Sequence, residues 1–244
     1  MSVPDRAEGS VLRACASARS VELDTLAPPG GLMIVSPHPD DETLGCGQAL
    51  AAAAKAGRDI VVILLTDGEA SQSDCDEVER NRLVALRRDE LQDALSILAP
   101  GRRIRVQRMQ LPDGCSAPCM LDTGRFENML DMARAMDCAS IWSTWRGDQH
   151  CDHRTAATIG RRLAERLEIP SWSFPVWGRF GERAVGGDPR LFDHEPTAHR
   201  KRHAIQCYAS QIDGEPLAHP DDFIMPPELV EHFAEHPEIF FRER

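Results

Sequence analysis

Leu-Met-Ile-Val-Ser-Pro-His-Pro-Asp-Asp-Glu-Thr-Leu-Gly-Cys, residues 32–46, is the stretch from which the rest of the chain is read. Residues 32–35 are an apolar run of β character, followed by a turn carrying His38, Asp40, Asp41 and Glu42 and then by a helical pattern. This is a strand ending in a polar tip. In an open α/β sheet, ligands and catalytic groups gather beyond the carboxyl ends of the strands. Pro37 and Pro39 fix φ and bias Ser36 and His38 away from the α region, which keeps this turn extended. His38 and Asp41 can then turn toward one point. Imidazole nitrogen and carboxylate oxygen are a donor set that zinc accepts, and Asp40 beside them could take a proton from water at such a cation. The same letters also suit an ordinary turn whose aspartates cap a helix and complement its dipole.

A second segment weighs against the ordinary turn. Residues 148–155, Asp-Gln-His-Cys-Asp-His-Arg-Thr, follow a β-like run (139–144) and precede a helical one (156–167). His150 and His153 stand three apart with Asp152 between them. A catalytic zinc site takes three protein ligands and keeps one position open, and His38, Asp41 and His153 would supply the three. His150 is then left over, with Asp152 available to fix its tautomer or to stabilise its imidazolium. Two His/Asp clusters, each at a strand-to-helix junction, favour a metal site over chance.

On these two motifs the chain resembles the LmbE-like (PIG-L) family of zinc-dependent N-acetylglucosaminyl deacetylases. The resemblance implies that His38, Asp41 and His153 bind zinc or another divalent metal. It makes Asp40 the general base and gives His150 the task of polarising the amide carbonyl or stabilising its oxyanion, with Asp152 supporting His150. Weaker similarity runs over residues 32–211, through Thr66-Asp-Gly-Glu69, Arg87-x-x-Glu90, Leu111-Pro-Asp-Gly114 and the segment from Lys201 to Ser210-Gln211. By the same resemblance Arg87 and Asp113 contact the substrate sugar. By residue type alone, Arg87 reads as part of a solvated helix face and Asp113 as a turn residue before glycine. The implied partner is a small-molecule amino-sugar conjugate, and the implied reaction removes its N-acetyl group. Three other readings compete: a zinc amidase acting on another N-acyl or thiol-conjugate substrate, a metallophosphoesterase, and a non-catalytic sugar-binding protein on the same fold. A two-metal phosphoesterase wants more ligands than these clusters hold, and pure binding requires neither Asp40 nor His150.

With 244 residues, 42% of them hydrophobic and 27% charged, the chain suits one sizeable globular α/β domain. Residues 1–28 read as a loosely attached leader, with a helical pattern at 11–18 and a structure-breaking Leu-Ala-Pro-Pro-Gly-Gly, and 29–244 as a single domain. Strand patterns at 59–66, 103–109 and 139–144 alternate with helical ones at 43–56, 77–98, 123–136 and 156–167. That alternation predicts a Rossmann-like, mainly parallel sheet flanked by helices. No dinucleotide fingerprint accompanies it. From Pro170 the pattern loosens into a strand at 171–177 with tryptophans read as core, a loop or hairpin at 180–192, and a basic helix at 197–208.

A formal net charge of −11 argues against a nucleic-acid or anionic-membrane partner. Apolar runs fall far below the roughly 18 residues that would cross a bilayer, and the first residues lack a signal-peptide core, so the expected location is cytoplasmic. No segment specifies a homo-oligomer. The eight cysteines are scattered, and most read as reduced. Cys115-x-x-x-Cys119 lacks the second pair that would complete a metal clip, and Cys151 reads as a bystander. His219-Pro-Asp-Asp222 repeats letters of the first motif without a strand before it and reads as a coincidental loop.

Overall fold

The computed structural model describes residues 7–72, 75–117, 123–213 and 223–243. In chain order the elements are α1 (Ser10–Cys15), β1 (Arg19–Ser20), α2 (Leu23–Leu26), β2 (Gly31–Ser36), α3 (Asp41–Lys55), β3 (Asp59–Leu64), α4 (Glu77–Leu98), β4 (Arg105–Arg108), α5 (Thr123–Ala135) and β5 (Cys138–Thr144). They continue with α6 (Cys151–Leu167), β6 (Ser171–Phe174), a 3-10 turn (Trp177–Arg179), β7 (Pro189–Phe192), α7 (Glu195–Ile205), α8 (Ala209–Ile212), α9 (Pro227–Glu235) and β8 (Glu238–Arg242).

Non-alternating apolar runs make the centre of the sheet, because a strand with helices on both faces has no polar side to offer. Every residue of β2 is buried, as is all of β3 after Asp59. The eight strands run in the order β1-β7-β8-β6-β5-β2-β3-β4, with β8 antiparallel to both its neighbours and the other pairs parallel. The arginine-bearing strand expected at an edge is β4, which ends the sheet. One face packs Ile34, Val62, Trp142, Trp172 and Phe174 against α3, α4, α7 and α9. The other packs Met33, Val35, Ile63 and Ile141 against α5 and α6. Trp172 and Trp177 are core residues, as their sequence context implied.

Helix α3 is buried along almost its whole length, so its alanines and glycines set how closely it can lie on the sheet. A Cβ at Gly45 would fall 2.1 Å from the Phe174 ring. The helix departs from helical geometry at Cys46 (φ −142°, ψ 23°), and the restart needs a cap. Glu238 at the head of β8 provides it, accepting from Gln48 N at 2.6 Å and Ala49 N at 2.9 Å, while Lys201 Nζ of α7 neutralises it at 2.9 Å.

Two local expectations change. The described part of the leader is attached to the domain: Val11 is fully buried and β1 pairs in parallel with β7. Helix α6 starts at Cys151, so His153 lies on a helix rather than in the preceding loop. The C-terminal part, less regular in sequence, supplies β7, α9 and β8. No helix of the described residues is long and apolar enough to cross a membrane.

Candidate metal centre and active site

The site forms where β2, β3 and β5 end. Thr66 N and Thr66 Oγ1 both donate to Pro37 O at 3.0 Å, which ties the end of β3 to the turn after β2. In that turn Asp40 has φ 151° and ψ −34°, a conformation rarely adopted by a residue with a Cβ. Surrounding bonds hold it there. Thr43 N and Leu44 N donate to Asp40 O at 2.9 Å, and Arg87 reaches Pro39 O at 3.0 Å, Gly68 O at 2.9 Å and Asp40 Oδ2 at 3.0 Å.

The structure brings His38, Asp41 and His153 together. Asp41 Oδ2 lies 3.1 Å from His38 Nδ1 and 3.3 Å from His153 Nε2. His153 is fully buried, yet neither ring nitrogen makes a hydrogen bond of good geometry. Buried imidazole nitrogens without partners beside a carboxylate are what a cation-binding set looks like, and a borderline divalent metal fits these donors. His150 converges as well: ligand atoms of His38, His150 and His153 lie within 4.8 Å of one another, and so do those of His38, Asp113, His150 and Asp152.

Three residues sit differently from expectation. Arg87, expected at the sugar, is buried, and its hydrogen bonds go to the Asp40 turn and Gly68. Asp113, also expected at the sugar, places Oδ1 3.1 Å from His38 Nε2 and accepts from Ala70 N through Oδ2 at 2.9 Å. The carboxylate of Asp152, expected to support His150, stands 4.0 Å from His150 Nδ1. It accepts instead from Gly114 N at 2.7 Å, Ser116 N at 3.0 Å and Ser116 Oγ at 2.6 Å, strapping the 114–116 segment to α6. The backbone N–H of Asp152 donates to His150 Nδ1 at 3.3 Å, so that nitrogen is the acceptor and Nε2 carries the proton.

Asp148 carries no role in the sequence reading, although it opens the second motif. It is 2% exposed, with Oδ2 3.3 Å from His153 Nδ1. Val176 N (3.3 Å) and Gly178 N (2.9 Å) donate to the same oxygen. The only sequence signal was an acidic residue between the strand end and the histidine.

Electrostatics separates the groups. Burial, opposed by Arg87, pushes the Asp40 carboxyl up to about 7. Burial acts the same way on Asp41, but His153 and His38 outweigh it and hold that carboxyl well below its usual range. Burial alone would lower His153, yet Asp41 and Asp148 bring it up to about 9. His38 likewise rises against burial through Asp113, Asp152 and Asp41. His150 falls to about 4, from burial and then from its histidine neighbours, so it is neutral.

Cys151 donates to Gly114 O at 3.1 Å. Cys15, Cys46, Cys115, Cys138, Cys151 and Cys207 are free thiols. Cys119 and the 219–222 segment lie outside the described residues.

A mainly parallel, helix-flanked sheet with a His/Asp cluster at its strand tips defines the class: a Rossmann-like α/β protein with a candidate single-metal centre. The family described as PIG-L, GlcNAc-PI de-N-acetylase, matches residues 33–164, which include both motifs, and the chain belongs to that family. No curated relative matches the sequence. Among solved structures, the N,N'-diacetylchitobiose deacetylase of Pyrococcus horikoshii superposes with a TM-score of 0.66 at 16% identity, covering 88% of this chain and 84% of that one. A deacetylase of the teicoplanin biosynthesis pathway gives 0.63 at 18% identity, over 86% and 96% of the two chains. The 4-carboxy-2-hydroxymuconate hydratase GalB of Pseudomonas putida gives 0.56 at 21% identity, over 84% and 82%. A deacetylase and a hydratase thus share this fold, and the activity has to be argued from the site.

Proposed function

We propose that this protein is a metal-dependent amide hydrolase that removes the N-acetyl group from an N-acetylglucosamine-containing conjugate. The observation that carries the reading is the convergence of His38, Asp41 and His153, with His153 fully buried between the carboxylates of Asp41 and Asp148, beside an Asp40 carboxylate fixed by Arg87. The family supports it, as do the deacetylases among the structural neighbours.

His38, Asp41 and His153 would hold a divalent cation, with zinc the expected one. A cation there supplies Lewis acidity, polarising the acyl carbonyl and lowering the pKa of water. Asp148 orients His153 through Nδ1. Asp40 takes the proton from the attacking water, and its carboxyl, raised to about 7, is suited to hold that proton and pass it to the departing amine. His150, neutral and protonated on Nε2, donates to the oxyanion that forms at the acyl carbon, a contact worth roughly 3–4 kcal/mol in comparable enzymes. Asp113 and Asp152 hold His38 and the 114–116 segment in place around the cleft.

The test is metal-depleted protein reconstituted with zinc and other divalent metals and assayed for free amine. Substrates would be a panel of N-acetylglucosamine conjugates, with N-acyl amino acids and amide-linked thiol conjugates beside them. Metal-dependent amine from an N-acetylglucosaminide supports the reading. Amine from the other N-acyl compounds alone replaces the substrate class, and no amine from any of them removes the hydrolase.

A further inference from the structure

Arg179, which closes the 3-10 turn after β6, is fully buried, and its Nε, Nη1 and Nη2 all lack a hydrogen-bond partner among the described residues. Its surroundings are aromatic. The guanidinium carbon lies 5.0 Å from the centre of the Phe233 ring, and the Phe180 ring stands 5.4 Å from Phe233 and 5.2 Å from His232. His232, 6% exposed, leaves its own Nε2 unpaired.

Among the described residues, the acidic groups close enough to act on Arg179 are the Glu238 carboxylate and the Cys15 thiol. Glu238 is already engaged with Gln48 N, Ala49 N and Lys201 Nζ. The Cys15 thiol is pushed up by burial and stays protonated. One buried carboxylate therefore faces two buried cations, Lys201 and Arg179. Burial brings the guanidinium down only to about 10, so it keeps its charge at neutral pH. An unpaired buried charge is among the least favourable arrangements a protein can hold, and removing it from water requires a counter-charge with acceptor capacity.

We infer that Arg179 is the centre of a buried site for a small monovalent inorganic anion of the halide type, with His232 Nε2 as a second donor within the same aromatic cage. One unbalanced positive charge calls for one negative charge, and a divalent oxyanion would leave an excess with nothing to balance it. A halide accepts from several donors without directional demands, which suits a fork of three nitrogens lying over the Phe233 ring. The turn that carries Arg179 also presents Val176 N and Gly178 N to Asp148, so the anion braces the segment that backs His153. The inference stands whatever the substrate proves to be.

Two measurements on the full chain test it: anomalous diffraction from bromide-soaked crystals, and melting temperature against chloride at constant ionic strength, with gluconate as the replacement. A bromide peak at the Arg179 guanidinium is expected, and Tm should rise by several degrees, steadily with the logarithm of chloride from about 1 mM to about 200 mM. Arg179→Met should lose the chloride dependence. Density fitted by water alone, or a Tm indifferent to chloride, overturns the inference. Bromide density without a rise in Tm is binding at crystal concentration only and also counts against it. A folded Arg179→Met variant that keeps the full chloride response would place the anion elsewhere, and the wild-type measurements decide the matter whether or not that variant folds.

Discussion

At the scale of single residues, the site depends on which side chain holds which. Asp40 sits in a strained backbone position with its carboxylate on Arg87. Asp40→Asn should lower kcat by about 10²–10⁴-fold while the protein still binds its metal. Metal lost together with activity would make Asp40 a ligand instead. Arg87→Met should lower kcat with KM little changed, because the guanidinium fixes the base, whereas a sugar contact at Arg87 would show first as a raised KM. Asp148→Asn should weaken metal binding about 10–100-fold in competition with a chelator, and unchanged affinity would remove Asp148 from the supporting shell. His38, Asp41 and His153 were legible because each lies in a short motif at a strand tip. The role of Asp148 was not, since two of its partners, Val176 N and Gly178 N, arrive from a turn 28 and 30 residues further on. Asp152 shows the same limit: it neighbours His150 in sequence, but its carboxylate turns to Gly114 and Ser116, 38 and 36 residues away.

At the scale of elements, buried parallel strands announce themselves, and β2, β3 and β5 could be read from their apolar runs. The start of α6 could not, because its first turn is polar and its cap is a histidine, so its letters resemble a loop. The strands β7 and β8 are four and five residues long and, among the described residues, are separated by three helices, which leaves no periodicity to detect. Their importance lies in Glu238, which caps the restart of α3 from the far end of the chain. Removing its partner through Lys201→Met would leave that carboxylate buried without its hydrogen-bonded cation, and unfolding free energy should drop by about 3–5 kcal/mol. The double variant Lys201→Met/Glu238→Gln should recover part of the loss. A single variant as stable as the wild type would show that the pair contributes little to holding α3.

At the scale of the whole molecule, a metal at the proposed centre would compete with protons for the same imidazoles. Without metal, His153 is raised to about 9 by Asp41 and Asp148, and His38 is raised as well. Stability from a raised imidazole is complete below its ordinary value of about 6.5 and is lost as pH climbs through the folded-state value. Metal-free protein should therefore melt at progressively lower temperature between about pH 6.5 and pH 9. The metal-loaded form, whose histidines must be deprotonated, should hold steady and melt higher. Parallel profiles for the two forms would argue that these histidines do not bind the metal. The most direct test of the hydrolase itself is product stoichiometry from an N-acetylglucosamine conjugate. Metal-loaded wild type should release free amine and acetate in equal amounts, and Asp40→Asn with the same metal content should release both about 10²–10⁴-fold more slowly. Amine and acetate formed equally well by the Asp40→Asn variant would contradict the account.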